Sequence, residues 1–143
     1  MIKKDILQTF KECGIQPSVQ RIAIMNYLWQ VTSHPTAEEV YAALSPEMPT
    51  LSKTTVYNTL RLLAENGAAL MLTIDDKKVR FDGDVRPHAH FLCRGCDRVF
   101  DAPLHEKALW MSVPESITHF DVEEIHYYYR GLCDECKAML NKN

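Results

Sequence analysis

Two Cys-x-x-Cys pairs, Cys93-Arg94-Gly95-Cys96 and Cys133-Asp134-Glu135-Cys136, lie beside a cluster of His and Asp that contains no cysteine. Thiolates are soft ligands that suit a closed tetrahedral zinc, whereas imidazole and carboxylate suit harder divalent ions that keep an open coordination position. The chain therefore carries donors for two metal sites of opposite character. One is fit to hold the fold and the other to respond.

In each pair the two-residue spacer lets both sulfurs face one point, about 2.3 Å from a zinc ion. Gly95 suits the tight backbone turn of such a knuckle. Cys133 and Cys136 open a predicted short helix, Asp134 to Asn141, whose positive end favours thiolates. The segment between the pairs is longer than in small zinc ribbons, so spacing alone leaves their convergence open. Two disulfides or a thioredoxin-like redox pair are the alternatives. The start Met1-Ile2-Lys3-Lys4-Asp5 does not resemble a secretory leader, which disfavours disulfides, and a redox pair leaves the second Cys-x-x-Cys unexplained. A structural zinc shared by Cys93, Cys96, Cys133 and Cys136 is the expectation. The fifth cysteine, Cys13, reads as a partly buried free thiol on the first helix.

These donors must be positioned by one ordinary domain or two small ones, since the chain has 143 residues. No apolar run approaches the ~20 residues of a membrane span, so a protein without a membrane partner, located in the cytoplasm, is expected. The net charge of -3 gives no nucleic-acid signal, and residues 1–82 hold nine basic and nine acidic side chains. DNA binding would have to come from local placement of charge.

The amino-terminal half reads as helices followed by a hairpin. Ile2, Ile6 and Phe10 recur at helical spacing before Gly14, and Ser18 offers a cap for a second helix carrying Ile24, Leu28 and Val31. Thr36-Ala37-Glu38-Glu39 is a capping box for a third, with Ala37, Val40, Tyr41 and Leu44 on one face. Ser52 caps a fourth, whose stripe Val56, Leu60 and Leu63 is buried and which Asn66-Gly67 closes. Its opposite face carries Thr54, Tyr57, Asn58 and Arg61, with Lys53 and Thr55 in the first turn, and could lie against a phosphate backbone without repulsion. Ala69 to Ile74 and Val79 to Asp82 flank the charged turn Asp75-Asp76-Lys77-Lys78 as a hairpin. This is the order of a winged helix-turn-helix; a small α+β domain with an ordinary solvated helix face is the other reading.

After a polar link at Asp84 to Pro87, the second half mixes strands at Ala89 to Cys93 and Val99 to Ala102, a helix from about Leu104 to Met111, and a strand region from Ile117 to Arg130. There Ile125, Tyr127 and Tyr129 alternate with His126, Tyr128 and Arg130, so one face is expected to be buried. About sixty residues make a marginal core, which zinc and dimerisation would support. The fold class is α+β: an amino-terminal winged helix over residues 1–83 and a small carboxy-terminal α/β dimerisation domain with structural zinc over residues 84–143.

His34-Pro35-Thr36-Ala37-Glu38-Glu39, the helix with Thr55-Val56-Tyr57-Asn58, the run Arg80-Phe81-Asp82, and His88-Ala89-His90-Phe91-x-Cys93-x-x-Cys96 occur in an order that resembles the Fur family of metal-dependent repressors, from about Leu7 to Cys136. The resemblance implies a homodimer that binds palindromic double-stranded operator DNA, structural Zn²⁺ on the Cys pairs, and a regulatory Fe²⁺ or Mn²⁺. Carried over by residue, the regulatory ligands are His34, Asp82, His88, His90 and Asp101. Zinc sensors of the family usually place a cysteine in this site, and here both Cys pairs are already used. Iron sensors commonly show His-His-Asp-His where this chain has Pro87-His88-Ala89-His90. Peroxide sensors of the PerR type show an x-His-x-His segment and Asp at both carboxylate positions, the pattern of Asp82 and Asp101. The family's Thr-Pro-Gln-Arg is here Ser18-Val19-Gln20-Arg21, with Pro17 displaced upstream and the capping chemistry kept.

A peroxide-responsive repressor, with His34 and His90 as the oxidation-sensitive ligands, is the functional expectation; a ferrous-iron-responsive repressor is the alternative. A metalloenzyme is the rival of a different class, but no general base or substrate cleft can be named for it, and the chain is expected not to be an enzyme.

Overall fold

Each of the first four helices begins on a side chain that satisfies its own first turn. Asp5 accepts from the Gln8 N–H (2.7 Å) ahead of α1 (Ile6–Cys13), and Ser18 from Arg21 (3.1 Å) ahead of α2 (Val19–Gln30). Thr36 accepts from Glu39 (3.2 Å) ahead of α3 (Ala37–Leu44), and Ser52 from Thr55 (3.0 Å) ahead of α4 (Lys53–Glu65). Two helices end equally definitely. Gly14 (φ 70°) and Gly67 (φ 77°) take the left-handed conformation, and the N–H groups after them reach back to Phe10 (2.8 Å) and Leu63 (2.8 Å).

The computed structural model describes residues 5–103 and 113–141, which fall into two units, Met1–Val85 and Arg86–Asn143. Ile2 and the expected helix from Leu104 to Met111 lie outside the described residues. In the first unit the stripes of all four helices meet in one core: Phe10, Ile24, Met25, Val40, Val56, Leu60 and Leu63 are fully buried. Cys13 packs at its margin, half-buried.

A hairpin of β1 (Leu70–Leu72) and β2 (Arg80–Asp82) follows α4, in antiparallel register Leu70 with Asp82 and Leu72 with Arg80. Phe81 fixes it to the core, and the Phe81 N–H donates to the Pro35 carbonyl (2.9 Å). Within the hairpin, Arg80 pairs with Asp75 (3.3 Å), both nearly buried. Burial works to raise the Asp75 carboxyl, but the Lys77 N–H and the Arg80 guanidinium outweigh it and hold it below the usual carboxylate range.

In the second unit β3 (Ala89–Cys93) pairs antiparallel with β4 (Val99–Ala102) and parallel with β5 (Tyr128–Gly131), and α5 (Asp134–Leu140) follows. The strand region expected from Ile117 to Arg130 is a correction: only Tyr128–Gly131 is strand, and Glu115–Ile117 is a 3-10 turn. Pairing to β3 runs from His90 with Tyr128 to Cys93 with Gly131, and the last contact at the near end is the His90 N–H donating to the Tyr127 carbonyl (3.0 Å), because β3 itself begins at Ala89. Nor is one face of the alternation buried, since Ile125 is 45% and Tyr129 53% exposed. Among the described residues no helix is long and apolar enough to cross a membrane.

A Cβ built on Gly67 meets nothing within 4 Å, so any cost of Gly67→Ala is the backbone cost of left-handed φ alone. That substitution should lower unfolding free energy by about 1–2 kcal/mol in urea denaturation, and Gly67→Asn by less.

Candidate metal centres and nucleic-acid face

The turn after β3 and the first turn of α5 bring Cys93, Cys96, Cys133 and Cys136 together, with sulfurs all within 4.8 Å of one another. Cys96 Sγ and Cys133 Sγ lie 3.9 Å apart. A disulfide needs about 2.05 Å, whereas a tetrahedron with metal–sulfur arms of about 2.3 Å has edges of about 3.8 Å. The donor set fits zinc and not two disulfides.

The electrostatics agree with this. The Cys133 N–H donates to Cys93 Sγ (3.3 Å) and brings that thiol down to about 6, while the Arg98 guanidinium lowers Cys96. Cys136, surrounded by the other sulfurs with Cys93 foremost, is pushed up to about 12. Several thiolates at one point repel, so without a cation one sulfur must keep its proton; a dication removes that need and binds as protons leave.

Two features of this centre differ from the sequence reading. Gly95 is not needed for left-handed backbone: Asp97 takes that conformation (φ 59°), whereas a Cβ on Gly95 would stand 2.9 Å from Cys136 Sγ. Glycine is there because another ligand packs against it. Arg98 was not foreseen as part of the site. It donates to Cys96 Sγ (3.4 Å) and to Glu135 (3.0 Å), tying the two knuckles, and a cation two residues beyond a Cys-x-x-Cys is the signal that could have found it.

The His and Asp donors form one set in each unit. In the first, His34 Nε2 lies 3.4 Å from Asp82 Oδ2, with His34 2% exposed. In the second, Asp101 Oδ1 lies 2.9 Å from His88 Nε2 and 3.4 Å from His90 Nε2. The sheet dictates this grouping. His90 and Asp101 are cross-strand partners in the β3–β4 register, so their side chains share a face, and His88 two residues earlier falls on the same side. The His88 and His90 rings stand 4.3 Å apart. Imidazole with carboxylate in each set fits a divalent ion of the Fe²⁺ or Mn²⁺ kind.

On α4, Lys53, Thr54, Tyr57, Asn58 and Arg61 are exposed, while Val56, Leu60 and Leu63 turn inward. Thr55 is half-buried and its hydroxyl accepts from Ser52 (2.9 Å), so it also serves the cap. Arg61 lies over the Tyr57 ring (5.9 Å) and pairs with Glu65 (3.2 Å), a half-exposed ion pair of little strength that leaves the guanidinium available to phosphate.

The ferric uptake regulator family model matches residues 12–126. The peroxide-responsive repressor PerR of Staphylococcus epidermidis is 35% identical over 134 residues, covering 94% of this chain and 89% of that protein. A solved structure of PerR from Streptococcus pyogenes is 29% identical with TM-score 0.51, covering 92% of this chain and 90% of the other. The ferric uptake regulator Fur of Helicobacter pylori shares the fold at 18% identity, TM-score 0.68, over 92% and 89% of the two chains.

The packing at Gly95 makes a specific demand. Gly95→Ala should weaken zinc retention about 10–100-fold, the range for disturbing the support of a metal ligand, read as zinc release to a chromogenic chelator, and Cys96→Ser should lose the zinc. A Gly95→Ala chain that held zinc like the parent would remove the packing account of Gly95, and a Cys96→Ser chain that held it would remove the four-sulfur account.

Proposed function

The chain belongs to the ferric uptake regulator family of metal-dependent DNA-binding repressors, and on that premise we propose that it is a peroxide-responsive repressor whose regulatory ion is shared by His34, Asp82, His88, His90 and Asp101. Residues 1–83 act as the winged-helix domain and residues 84–143 as the zinc-bearing dimerisation domain. The observation that carries this reading is the division of the His/Asp donors into two incomplete sets, one in each unit. Two donors in the first unit and three in the second are each too few to hold such an ion firmly. An ion that used both sets would bind one arrangement of the domains better than others, and so shift the population toward it.

In this reading Asp82 and Asp101 would supply the negative charge, and His34 and His90, nearly fully buried, would supply imidazole nitrogens to the ion. Fe²⁺ held there would supply electrons to peroxide beside those rings. In net terms one oxygen of the peroxide would insert into a ring C–H bond of His34 or His90 and the other would leave as water; the ring would supply the two electrons, and the electron lent by Fe²⁺ would return to it. The altered ring would be a poorer donor, and its loss would release both the ion's hold and the operator. The peroxide branch is supported by the cysteine-free donor set, and by relatives of this length and identity that carry the name peroxide-responsive repressor.

For the operator, α4 would enter the major groove with Tyr57 toward thymine methyls, and Arg61 toward phosphate or a base edge, assisted by Lys53, Thr54, Thr55 and Asn58. A homodimer is supported by the second unit's surface. Phe120, Val122, Ile125 and Tyr129 are 38–58% exposed, and Val122 and Ile125 line a groove of about 460 Å³ together with Val113, Pro114, Ile117, Glu124 and Tyr127. An apolar concentration of that kind marks a surface covered by a partner.

Two outcomes are expected. Tyr57→Ala should weaken specific operator binding by about 1–3 kcal/mol in a mobility-shift titration, with folding retained. In the Fe²⁺ form, a low dose of hydrogen peroxide should release the operator and leave one added oxygen atom on a peptide containing His34 or His90, while the Mn²⁺ form is unaffected. Unmodified histidines with unaltered DNA affinity would favour a ferrous-iron-responsive repressor instead.

A further inference from the structure

Building on the proposed ligand role of His34, we propose that Arg80, anchored by Asp75, is the positioning residue that fixes His34 for its metal. The backbone at His34 is left-handed (φ 55°), a conformation that a residue with a β-carbon adopts only when its surroundings hold it there. Pro35 follows, fully buried, and disfavours the right-handed helical alternative for His34. The holding contact comes from strand β2: Arg80 Nη1 donates to the His34 carbonyl (3.4 Å) across 46 residues of sequence.

Arg80 is itself fixed at its other side. Its Nε and Nη2 both donate to Asp75 Oδ2 (3.4 and 3.3 Å), and Asp75 accepts from the Lys77 N–H (3.0 Å) inside the turn. The side chains of Arg80 and Asp75 are only 10% and 8% exposed. A planar, forked guanidinium can serve a carboxylate and a carbonyl at once, which an ammonium does less well. Arg80 and Asp82 are two apart on one strand and so project to the same side. One strand therefore meets His34 twice, Arg80 at its backbone and Asp82 at its ring (3.4 Å). The ring is delivered to Asp82 before any ion arrives, and the hairpin turn is linked rigidly to a ligand.

The experiment is a Mn²⁺ titration of the full-length, zinc-loaded protein. Removing only Arg80 would leave the Asp75 charge buried and unpaired, and a misfolded chain would say nothing about position. The main variant is therefore the double Asp75→Asn/Arg80→Gln, with Arg80→Lys beside it. The double variant is expected to lose about 10–100-fold in Mn²⁺ affinity, with zinc content and far-ultraviolet dichroism unchanged, and Arg80→Lys is expected to recover part of the loss. Added to His34→Ala, the same double substitution should cause no further loss, because Arg80 acts through His34. Mn²⁺ affinity within twofold of the parent, or an equal further loss in the His34→Ala background, would overturn the inference while leaving the ligand role of His34 intact. If His34→Ala itself binds Mn²⁺ like the parent, both the inference and the site on which it rests fall.

Discussion

Four sulfurs within 4.8 Å of one another cannot all ionise unless a cation lies among them, and the second unit is arranged around that constraint. Its fully or nearly buried apolar residues among those described are Ala89, Leu92, Cys93, Val99 and Cys133, two of which are themselves donors. So small a core cannot hold a three-stranded sheet and a helix unaided. Zinc joins the turn after β3 to the start of α5, and Arg98 reinforces the same junction from outside. Because β3 also carries His90 and pairs with the strand of Asp101, the order imposed at the sulfur end of that strand extends to the proposed regulatory donors at the other.

The proposed switch uses a contrast between two kinds of site. A closed thiolate site leaves no position for a reactant and fixes structure, whereas a His/Asp site divided between units ties ion binding to their arrangement. The buried imidazoles of His34 and His90 then have a double use in this account: they hold the ion with their carboxylate partners, and they are the groups whose alteration ends the hold. The Asp75–Arg80–His34 chain of contacts extends this by making one of those imidazoles dependent on the hairpin.

Much of this was legible in the sequence where a local rule decides the outcome. Asp5 aside, the capping residues Ser18, Thr36 and Ser52 and the closing glycines Gly14 and Gly67 stand where the pattern places them, because caps are satisfied within three or four residues. Strands Ala89–Cys93 and Val99–Ala102 follow their apolar runs, and the grouping of His90 with Asp101 follows from their register. What the sequence could not disclose depends on distant neighbours. Alternation from Ile125 to Arg130 says nothing about where a partner strand begins, and among the described residues of the expected region only Tyr128–Gly131 forms strand. The reason for Gly95 becomes visible only when Cys136 is seen against it, and the reason for Arg80 only when His34 is seen with its left-handed backbone.

The most direct test of the central claim, that one regulatory ion joins the two units, is small-angle X-ray scattering of the zinc-loaded protein during addition of Mn²⁺. The account predicts a saturable change in the scattering curve at one Mn²⁺ per chain, absent in His34→Ala and in His90→Ala alike, since each variant removes a donor from a different unit. Full binding of Mn²⁺ with an unchanged curve, or a change that persists in either variant, would contradict it.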